Sequence, residues 1–207
     1  RDFEHTDDLL IQDRVKSIID TDILYILFTS GSTGDPKGVI ISHKATIAYT
    51  EWGTKAFNVD CNTIIGNQTP FYFSMSVFDI FQMIKNGSTL YIIPNIMFSF
   101  PMLLLRFISE KKINLIYWVP SALCLVANLK ALGKVDISCV DKVLFAGEVM
   151  PAKQYNLWKN ALPKAYFANL YGPTETTDIC NYYPILREIN DDEEIPIGNA
   201  CEKDRKS

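Results

Sequence analysis

Short, continuous apolar runs alternate with longer amphipathic stretches along this chain. Residues 23–29 form the first run and read as a buried strand, entered from the turn Asp20-Thr21-Asp22. Past a polar, glycine-rich loop, residues 38–42 read as a second short strand and 44–52 as a helix, so the two strands and their tight loop predict a hairpin-like unit. Further on, apolar runs recur about every 25 residues with amphipathic segments between them, the rhythm of helices crossing over between parallel strands. Strands are predicted at 89–93, 115–119, 143–146 and 166–170, with a helix over 102–110. Ser121 can cap a helix that runs to Leu132 and stops at Gly133, and Pro151 suits a helix N-terminus. The predicted class is α/β, a mainly parallel sheet flanked by helices. Residues 1–22 read as a leading linker or partial element, 23–200 as the core and 201–207 as a tail.

Composition narrows the partners. With 48% apolar and 21% charged residues the chain of 207 residues can bury a sizeable core. A net charge of −4 supplies no basic field to gather nucleic acid or anionic lipid, so neither is expected as a partner. The most apolar stretch, 92–108, is broken by Pro94, Asn95, Pro101 and Arg106 and falls short of the roughly 20 apolar residues a membrane-spanning helix needs. Residues 1–22 are charged and lack the apolar run of a signal peptide, which makes the cytoplasm the expected location. Cys61, Cys124, Cys139, Cys180 and Cys201 show no CxxC pair and no zinc-like spacing, and read as free thiols.

In parallel sheets ligands bind beyond the carboxyl ends of the strands. Two polar motifs fall there, Ala146-Gly147-Glu148 and Tyr171-Gly172-Pro173-Thr174-Glu175. The most informative segment is the loop of residues 29–38, TSGSTGDPKG. Its glycines permit tight turns that aim successive amides into one concavity, Ser30, Ser32 and Thr33 add hydroxyls, and Lys37 adds positive charge, a set suited to polyphosphate. The same residue types also make ordinary surface hairpin loops, and composition alone leaves both readings open. The loop does not fit the GxxxxGK[ST] pattern, because Lys37 precedes Gly38, so a P-loop NTPase is disfavoured.

Residues 27–43, LFTSGSTGDPKGVIISH, resemble almost residue for residue the phosphate loop of the adenylate-forming superfamily, whose members include nonribosomal peptide adenylation domains, acyl- and aryl-CoA ligases, luciferases and D-alanine–carrier protein ligases. Residues 169–177, NLYGPTETT, resemble a second signature in the expected order. Residues 145–149, FAGEV, resemble the segment bordering adenine and the acyl pocket, and 71–81, FYFSMSVFDIF, the stretch that opens the carboxylate-substrate pocket. The resemblance implies the large-domain fold of an acyl-adenylate synthetase, in incomplete form. It implies that ATP and Mg²⁺ activate a carboxylic acid as its acyl-AMP, with transfer to a carrier-protein phosphopantetheine or to CoA.

The resemblance also implies residue roles. Thr29, Ser30, Gly31, Ser32, Thr33 and Gly34 cradle the phosphates with Lys37, Tyr171 lies against adenine with Gly172 at the turn, Asn169 meets the adenine amino group, Thr174 meets the α-phosphate and Glu175 holds the metal. Gly147 and Glu148 border the nucleotide, with a plain turn after a strand as the alternative reading of Glu148. Phe73 stands as the aromatic gate, or as an ordinary core aromatic. Such chemistry is alignment and charge neutralisation and requires no catalytic His or Cys, which leaves His5 and His43 without a role. The GPTE form favours amino-acid-activating members.

Matching pocket positions gives Ser74, Met75, Phe78, Tyr117, Leu144, Ala146, Leu170, Asp178 and Ile179. Members that activate α-amino acids usually carry Asp where Ser74 stands, to pair with the ammonium. A hydroxyl cannot neutralise that charge, and an unpaired buried ion costs several kcal/mol. Either the substrate lacks the ammonium or another acid reaches it. Asp178, on the opposite wall, is the candidate, and capping of the following segment is its alternative reading. Compact D-alanine-type, aryl and short acyl acids all remain open as substrates. An acyl- or aryl-CoA ligase and a noncatalytic nucleotide-binding fragment are the competing functions. The ribose-holding Asp, the hinge and the small C-terminal domain with its Lys are expected beyond these residues, so the fragment alone is expected to adenylate little.

Overall fold

The computed structural model describes residues 8–29 and 34–201. A leading helix, α1 (Asp8–Ser17), precedes an antiparallel hairpin of β1 (Ile23–Thr29) and β2 (Lys37–Ser42), the unit expected from the two flanking apolar runs. The hairpin register pairs Thr29 with Lys37, which brings both ends of the glycine-rich loop together. Ser42 then caps α2 (His43–Phe57), its hydroxyl accepting from the Ala45 amide at 3.3 Å.

The main sheet has seven strands in the order β4-β3-β5-β6-β7-β8-β9. β3 (Ile64–Asn67), β4 (Thr89–Ile92), β5 (Leu115–Trp118), β6 (Lys142–Phe145) and β7 (Tyr166–Tyr171) are parallel, while β8 (Asn181–Pro184) pairs antiparallel with β7 and β9 (Asn199–Ala200) antiparallel with β8. Winding reverses once. From β3 the chain passes through α3 (Met75–Asn86) to β4 on one side, then through α4 (Pro101–Glu110) across to β5 on the other, and continues the same way through α5 (Pro120–Asn128) and α6 (Ala152–Ala161). Crossovers of one hand that run in opposite directions place their helices on opposite faces of the sheet. Two separate cores result: α4, α5 and α6 pack on one face and α2 and α3 on the other.

Strand alternation distributes side chains between these cores. Ile116, Trp118, Val143, Phe145 and Phe167 point to the first, and Leu115, Tyr117, Leu144, Ala146, Ala168 and Leu170 to the second. The buried indoles Trp118 and Trp158 donate to the Gly66 and Leu123 carbonyls at 2.8 and 2.9 Å.

Three local expectations are corrected. Ser121 does not cap α5: the helix begins at Pro120, and the Glu148 carboxylate supplies the acceptor for its first turn. The helix also ends at Asn128 rather than Leu132, because Lys130 takes the left-handed conformation (φ 52°) and the Ala131 amide closes onto the Val126 carbonyl. Helix α2 runs through Gly53 to Phe57 instead of stopping at Trp52. There the missing side chain admits α3: a Cβ on Gly53 meets Gln82 Nε2 at 2.6 Å and the Phe78 ring at 2.8 Å. Strand β3 and helix α3 lie outside the elements the sequence pattern predicts.

Gly53→Ala is therefore expected to lower stability despite alanine's better helix propensity. Overpacking of about 1–3 kcal/mol offsets or outweighs a gain of about 1 kcal/mol, so urea denaturation of the intact protein should register a net loss of up to about 2 kcal/mol.

Candidate active site

The carboxyl ends of β3, β5, β6 and β7 lie side by side in the main sheet, and the segments 71–81, 145–149 and 169–177 lie at or beyond the ends of β3, β6 and β7, while the glycine-rich loop belongs to the separate β1–β2 hairpin. Between β3 and β5, where the winding reverses, the loops separate as expected at a topological switch point. A cavity of about 760 Å³ opens there, lined by Gln68, Thr69, Phe73, Val119, Gly147 and Glu148 among others. Gly147 has φ 89°, a conformation that favours glycine, and the structure puts the Met75 sulfur and Val119 within 4 Å of where its Cβ would stand.

Strand β2, which starts at Lys37, packs beside the short 3-10 turn Thr174–Thr176. The strand that leaves the glycine-rich loop thus lies beside the YGPTE turn. Ser30, Gly31, Ser32 and Thr33 lie outside the described residues. Thr29, Gly34 and Lys37 frame the loop, with Gly34 at φ 94°. Tyr171 is half exposed at the end of β7, Glu175 is exposed, and Thr174 is half-buried between them. Gly172 is required by close approach, since a Cβ there would meet the Asp178 carbonyl oxygen at 2.3 Å and Ile179 Cα at 2.7 Å. The turn folds back on itself and carries two successive non-glycine residues at positive φ, Thr177 at 71° and Asp178 at 121°. Such backbone costs on the order of 1–3 kcal/mol per residue and persists only where surrounding contacts hold it.

Those contacts converge on the Asp178 carboxyl. Buried to 2% exposure, it accepts from Tyr49 Oη at 2.7 Å and Tyr117 Oη at 3.0 Å on one oxygen, and from Ser74 Oγ at 3.1 Å on the other. Ser74 occupies the N-cap of α3 yet makes no capping bond, because its hydroxyl is turned toward Asp178. Asp178 therefore does not cap the segment that follows it; it joins α2, α3, β5 and the turn after β7. Met75, Phe78, Tyr117, Leu144, Ala146, Leu170 and Ile179, all placed in one pocket by resemblance, fall into the single core on the α2–α3 face. Phe73 stands at the mouth, exposed and in ring contact with Tyr72 at 4.8 Å. Burial first, and the Asp178 carboxyl second, raise the pKa of both Tyr49 and Tyr117 well above the phenol range, so both hydroxyls stay protonated donors.

Two expected nucleotide contacts are engaged within the fold. Glu148 accepts from the Ser121 amide at 2.8 Å and the Ser121 hydroxyl at 3.1 Å, a helix-capping role beside the cavity. The Asn169 amide nitrogen donates to the Pro196 carbonyl at 2.9 Å, tying residues 195–196 against β7. Among the described residues no three His, Cys, Asp or Glu side chains cluster to hold a metal. The exposed Glu175 carboxylate is a hard oxygen donor, which fits a Mg²⁺ held mainly by nucleotide phosphates and water.

The structure adds residues that sequence reasoning missed. Tyr49 looks like an ordinary core aromatic at helical spacing from Trp52, and nothing in the sequence marks its bond to a residue 129 positions away. Asp79 did leave a signal: an acid inside the apolar run of α3. It is fully buried, and Asn67 Nδ2 bonds one of its oxygens at 2.8 Å while the other has no partner among the described residues. Gln68 accepts from the Val119 amide at 3.4 Å and joins the two sides of the switch point.

The family model described as AMP-binding enzyme matches residues 3–202. The chain belongs to the AMP-binding enzyme family. It is 34% identical over 193 residues to the D-alanine–D-alanyl carrier protein ligase of Bacillus cytotoxicus, a match that covers 91% of this chain and 37% of that protein. It is 35% identical over 184 residues to the L-proline–[L-prolyl-carrier protein] ligase of Streptomyces coelicolor, covering 88% of this chain and 34% of that one. Among solved structures it resembles the Vibrio cholerae adenylation domain AlmE in complex with glycyl-adenosine-5'-phosphate, at a TM-score of 0.80 and 27% identity over 94% of this chain and 36% of that chain. The chain spans little more than a third of the length of these AMP-binding relatives.

Within this family member, Asp79 makes stability depend on pH. Burial, and then the nearby Asp178 carboxyl, push its pKa up to about 8 from the usual 3.8, against the lowering effect of Asn67. The folded state retains a proton that the unfolded chain has released, so stability falls as pH rises from about 4 to about 8, by at most about 1.4 kcal/mol per pH unit. Asp79→Asn should flatten that slope in urea denaturation of the intact protein at successive pH values.

Proposed function

We propose that the protein containing these residues activates an amino acid with ATP and passes it to the phosphopantetheine thiol of a carrier protein. In the first step a carboxylate oxygen of the acid attacks the α-phosphorus of ATP, the bond to the bridging oxygen breaks, and pyrophosphate leaves. In the second the thiol sulfur attacks the acyl carbon, and AMP leaves with the bonding pair as the thiol loses its proton. Family membership supports the first step, and two relatives named as carrier-protein ligases support the second. A need for ATP and a carrier protein fits a cytoplasmic location.

The residues divide the work by chemistry. The glycine-rich loop, with Lys37 at its end, supplies amides, hydroxyls and positive charge for the phosphates, and Thr174 on the neighbouring turn supplies a hydroxyl to the α-phosphate. Tyr171 offers its exposed ring to adenine. Glu175 would hold Mg²⁺, whose contribution when bound is to neutralise phosphate charge. Gly147 and its neighbours border the nucleotide, and Phe73 guards the acid's entrance.

One observation carries the choice of an amino acid over an uncharged acid: Ser74 Oγ donates to Asp178 at 3.1 Å. The carboxyl expected at position 74 is absent, but another lies within one hydrogen bond of it. A substrate ammonium entering past Phe73 meets the Ser74 hydroxyl and the Asp178 oxygen together.

Amino-acid-dependent pyrophosphate exchange by the intact protein tests this. Asp178→Asn should lower kcat/KM for the amino acid by about 100-fold or more while leaving the KM for ATP unchanged, since removing one partner of a buried charge pair costs about 3–5 kcal/mol. Equal exchange with the corresponding acid lacking its amino group would count against the assignment.

A further inference from the structure

Cys180 and Cys201 oppose each other across the last rung between β8 and β9. These strands pair Asn181 with Ala200 and Tyr182 with Asn199, so the next pair is Cys180 with Cys201, and the Cys201 amide donates to the Cys180 carbonyl at 2.8 Å. Opposed, hydrogen-bonded residues of antiparallel strands have Cα atoms about 5.5 Å apart, within the about 4.4–6.8 Å that a disulfide spans, and present their side chains on one face of the sheet. Their Cβ atoms stand at about 4.5–5.5 Å and need to close to about 4 Å. This rung can yield that much. β9 is two residues long and lies at the sheet's edge, and the Cys180 amide donates to the Tyr171 carbonyl at 2.9 Å instead of back to Cys201. No disulfide joins the two. Cys61 lies before the amino end of β3, and Cys124 and Cys139 pack against the core on the other face.

Thiols opposed in this way stay reduced in a reducing environment and close reversibly when it turns oxidising. We infer that Cys180 and Cys201 are a redox-sensitive pair that a small-molecule disulfide converts to a cross-strand disulfide, and that this crosslink weakens nucleotide binding through Tyr171. Cys180 is half-buried where Cys201 is buried, so Cys180 supplies the attacking sulfur. Its thiolate displaces one thiol from the oxidant and forms a mixed disulfide; the Cys201 thiolate then attacks the Cys180 sulfur and expels the second. Two protein thiols lose two electrons and two protons, and one oxidant disulfide becomes two thiols. The consequence reaches the turn after β7. The Cys180 thiol donates to the Tyr171 carbonyl at 3.6 Å, beside the amide that bonds the same oxygen, and the Cys180 nitrogen lies 2.8 Å from where a Cβ on Gly172 would stand. A disulfide has no S–H to donate, so oxidation removes one of the two bonds that hold the backbone behind the ring assigned to adenine. The effect on the nucleotide rests on the adenylation reading above; the crosslink itself does not.

The test treats the intact protein with oxidised glutathione, then with dithiothreitol, and maps its disulfides by peptide mass spectrometry. A Cys180–Cys201 crosslink should form, be absent from Cys180→Ser and Cys201→Ser, persist in Cys61→Ser, and be undone by dithiothreitol. Because it closes a loop of about 20 residues in the unfolded chain, oxidation should also shift the urea midpoint upward. In amino-acid-dependent pyrophosphate exchange the KM for ATP should rise about 2- to 10-fold on oxidation, as expected for loss of one hydrogen bond, and return with dithiothreitol. Cys61→Ser should respond like the unaltered protein, and Cys180→Ser should not respond. No crosslink, glutathione retained on Cys180 alone, or crosslinks only to other cysteines overturns the pairing, and the unaltered protein decides this even if a serine variant fails to fold. A mapped crosslink with an unchanged KM overturns the effect on the nucleotide. Absence of exchange by the reduced protein counts instead against the adenylation reading, while mapping still decides the crosslink.

Discussion

The carboxyl of Asp178, buried and held by three hydroxyls, is the constraint on which the site depends. A buried acid without partners costs several kcal/mol, so the donors have to be brought from wherever the fold can supply them. Here they come from two helices and a strand that the chain reaches at positions 49, 74 and 117. Their convergence offsets the unfavourable backbone at Thr177 and Asp178, and that backbone in turn aims the carboxyl away from solvent and into the α2–α3 core. Neither half persists alone: a relaxed turn would leave three buried hydroxyls unsatisfied, and missing hydroxyls would leave the strain unsupported.

Sheet topology makes this convergence possible. Because the winding reverses between β3 and β5, α3 lies alone on the face opposite α4, α5 and α6, and its partner on that face is α2, which arrives from the hairpin. Strand alternation then projects Tyr117, Leu144, Ala146 and Leu170 to the same face. The reversal also opens the cavity at Gln68 and Val119, so this cavity and the Asp178 cluster are two consequences of one change in winding direction.

Much of this was legible in the sequence, for reasons that differ by residue. Parallel strands announce themselves as apolar runs, and β5, β6 and β7 were predicted to within a residue or two at their ends. β3 was missed because it is four residues long, includes Gly66 and ends in Asn67, so it has too little apolar run to stand out. Gly133 is a plausible helix stop, but Lys130 reached the left-handed conformation first. The pocket positions came from resemblance, and the apolar ones among them share one face of the sheet. The bond between Ser74 and Asp178, 104 residues apart, could be raised from sequence only as an alternative to capping, since charge deficit at one position says nothing of which distant acid fills it. Tyr49 left no trace at all, because buried aromatics at helical spacing are ordinary core. The turn joining 30 to 33 is read from composition and resemblance alone.

Placing the acid at 178 rather than 74 has a consequence for how the two ligands are aligned. Asp178 follows Glu175 by three residues within a turn that Gly172 folds back on itself, with backbone in contact at 2.3–2.8 Å of the position a side chain would need. On the proposed reading, the group that orients the amino acid and the groups that meet the phosphates then belong to one short, strained segment instead of to separate elements. A displacement of the turn moves both together, preserving the distance from the attacking carboxylate to the α-phosphorus. Where rate depends on holding two reactants in register, a shared rigid support contributes through the entropy of alignment, an effect that reaches several kcal/mol in well-oriented reactions. On the same reading, a change that relaxes the backbone at Thr177 and Asp178 disturbs ammonium and phosphate contacts at once, whereas the near-isosteric Asp178→Asn, which leaves that backbone in place, alters the ammonium contact alone.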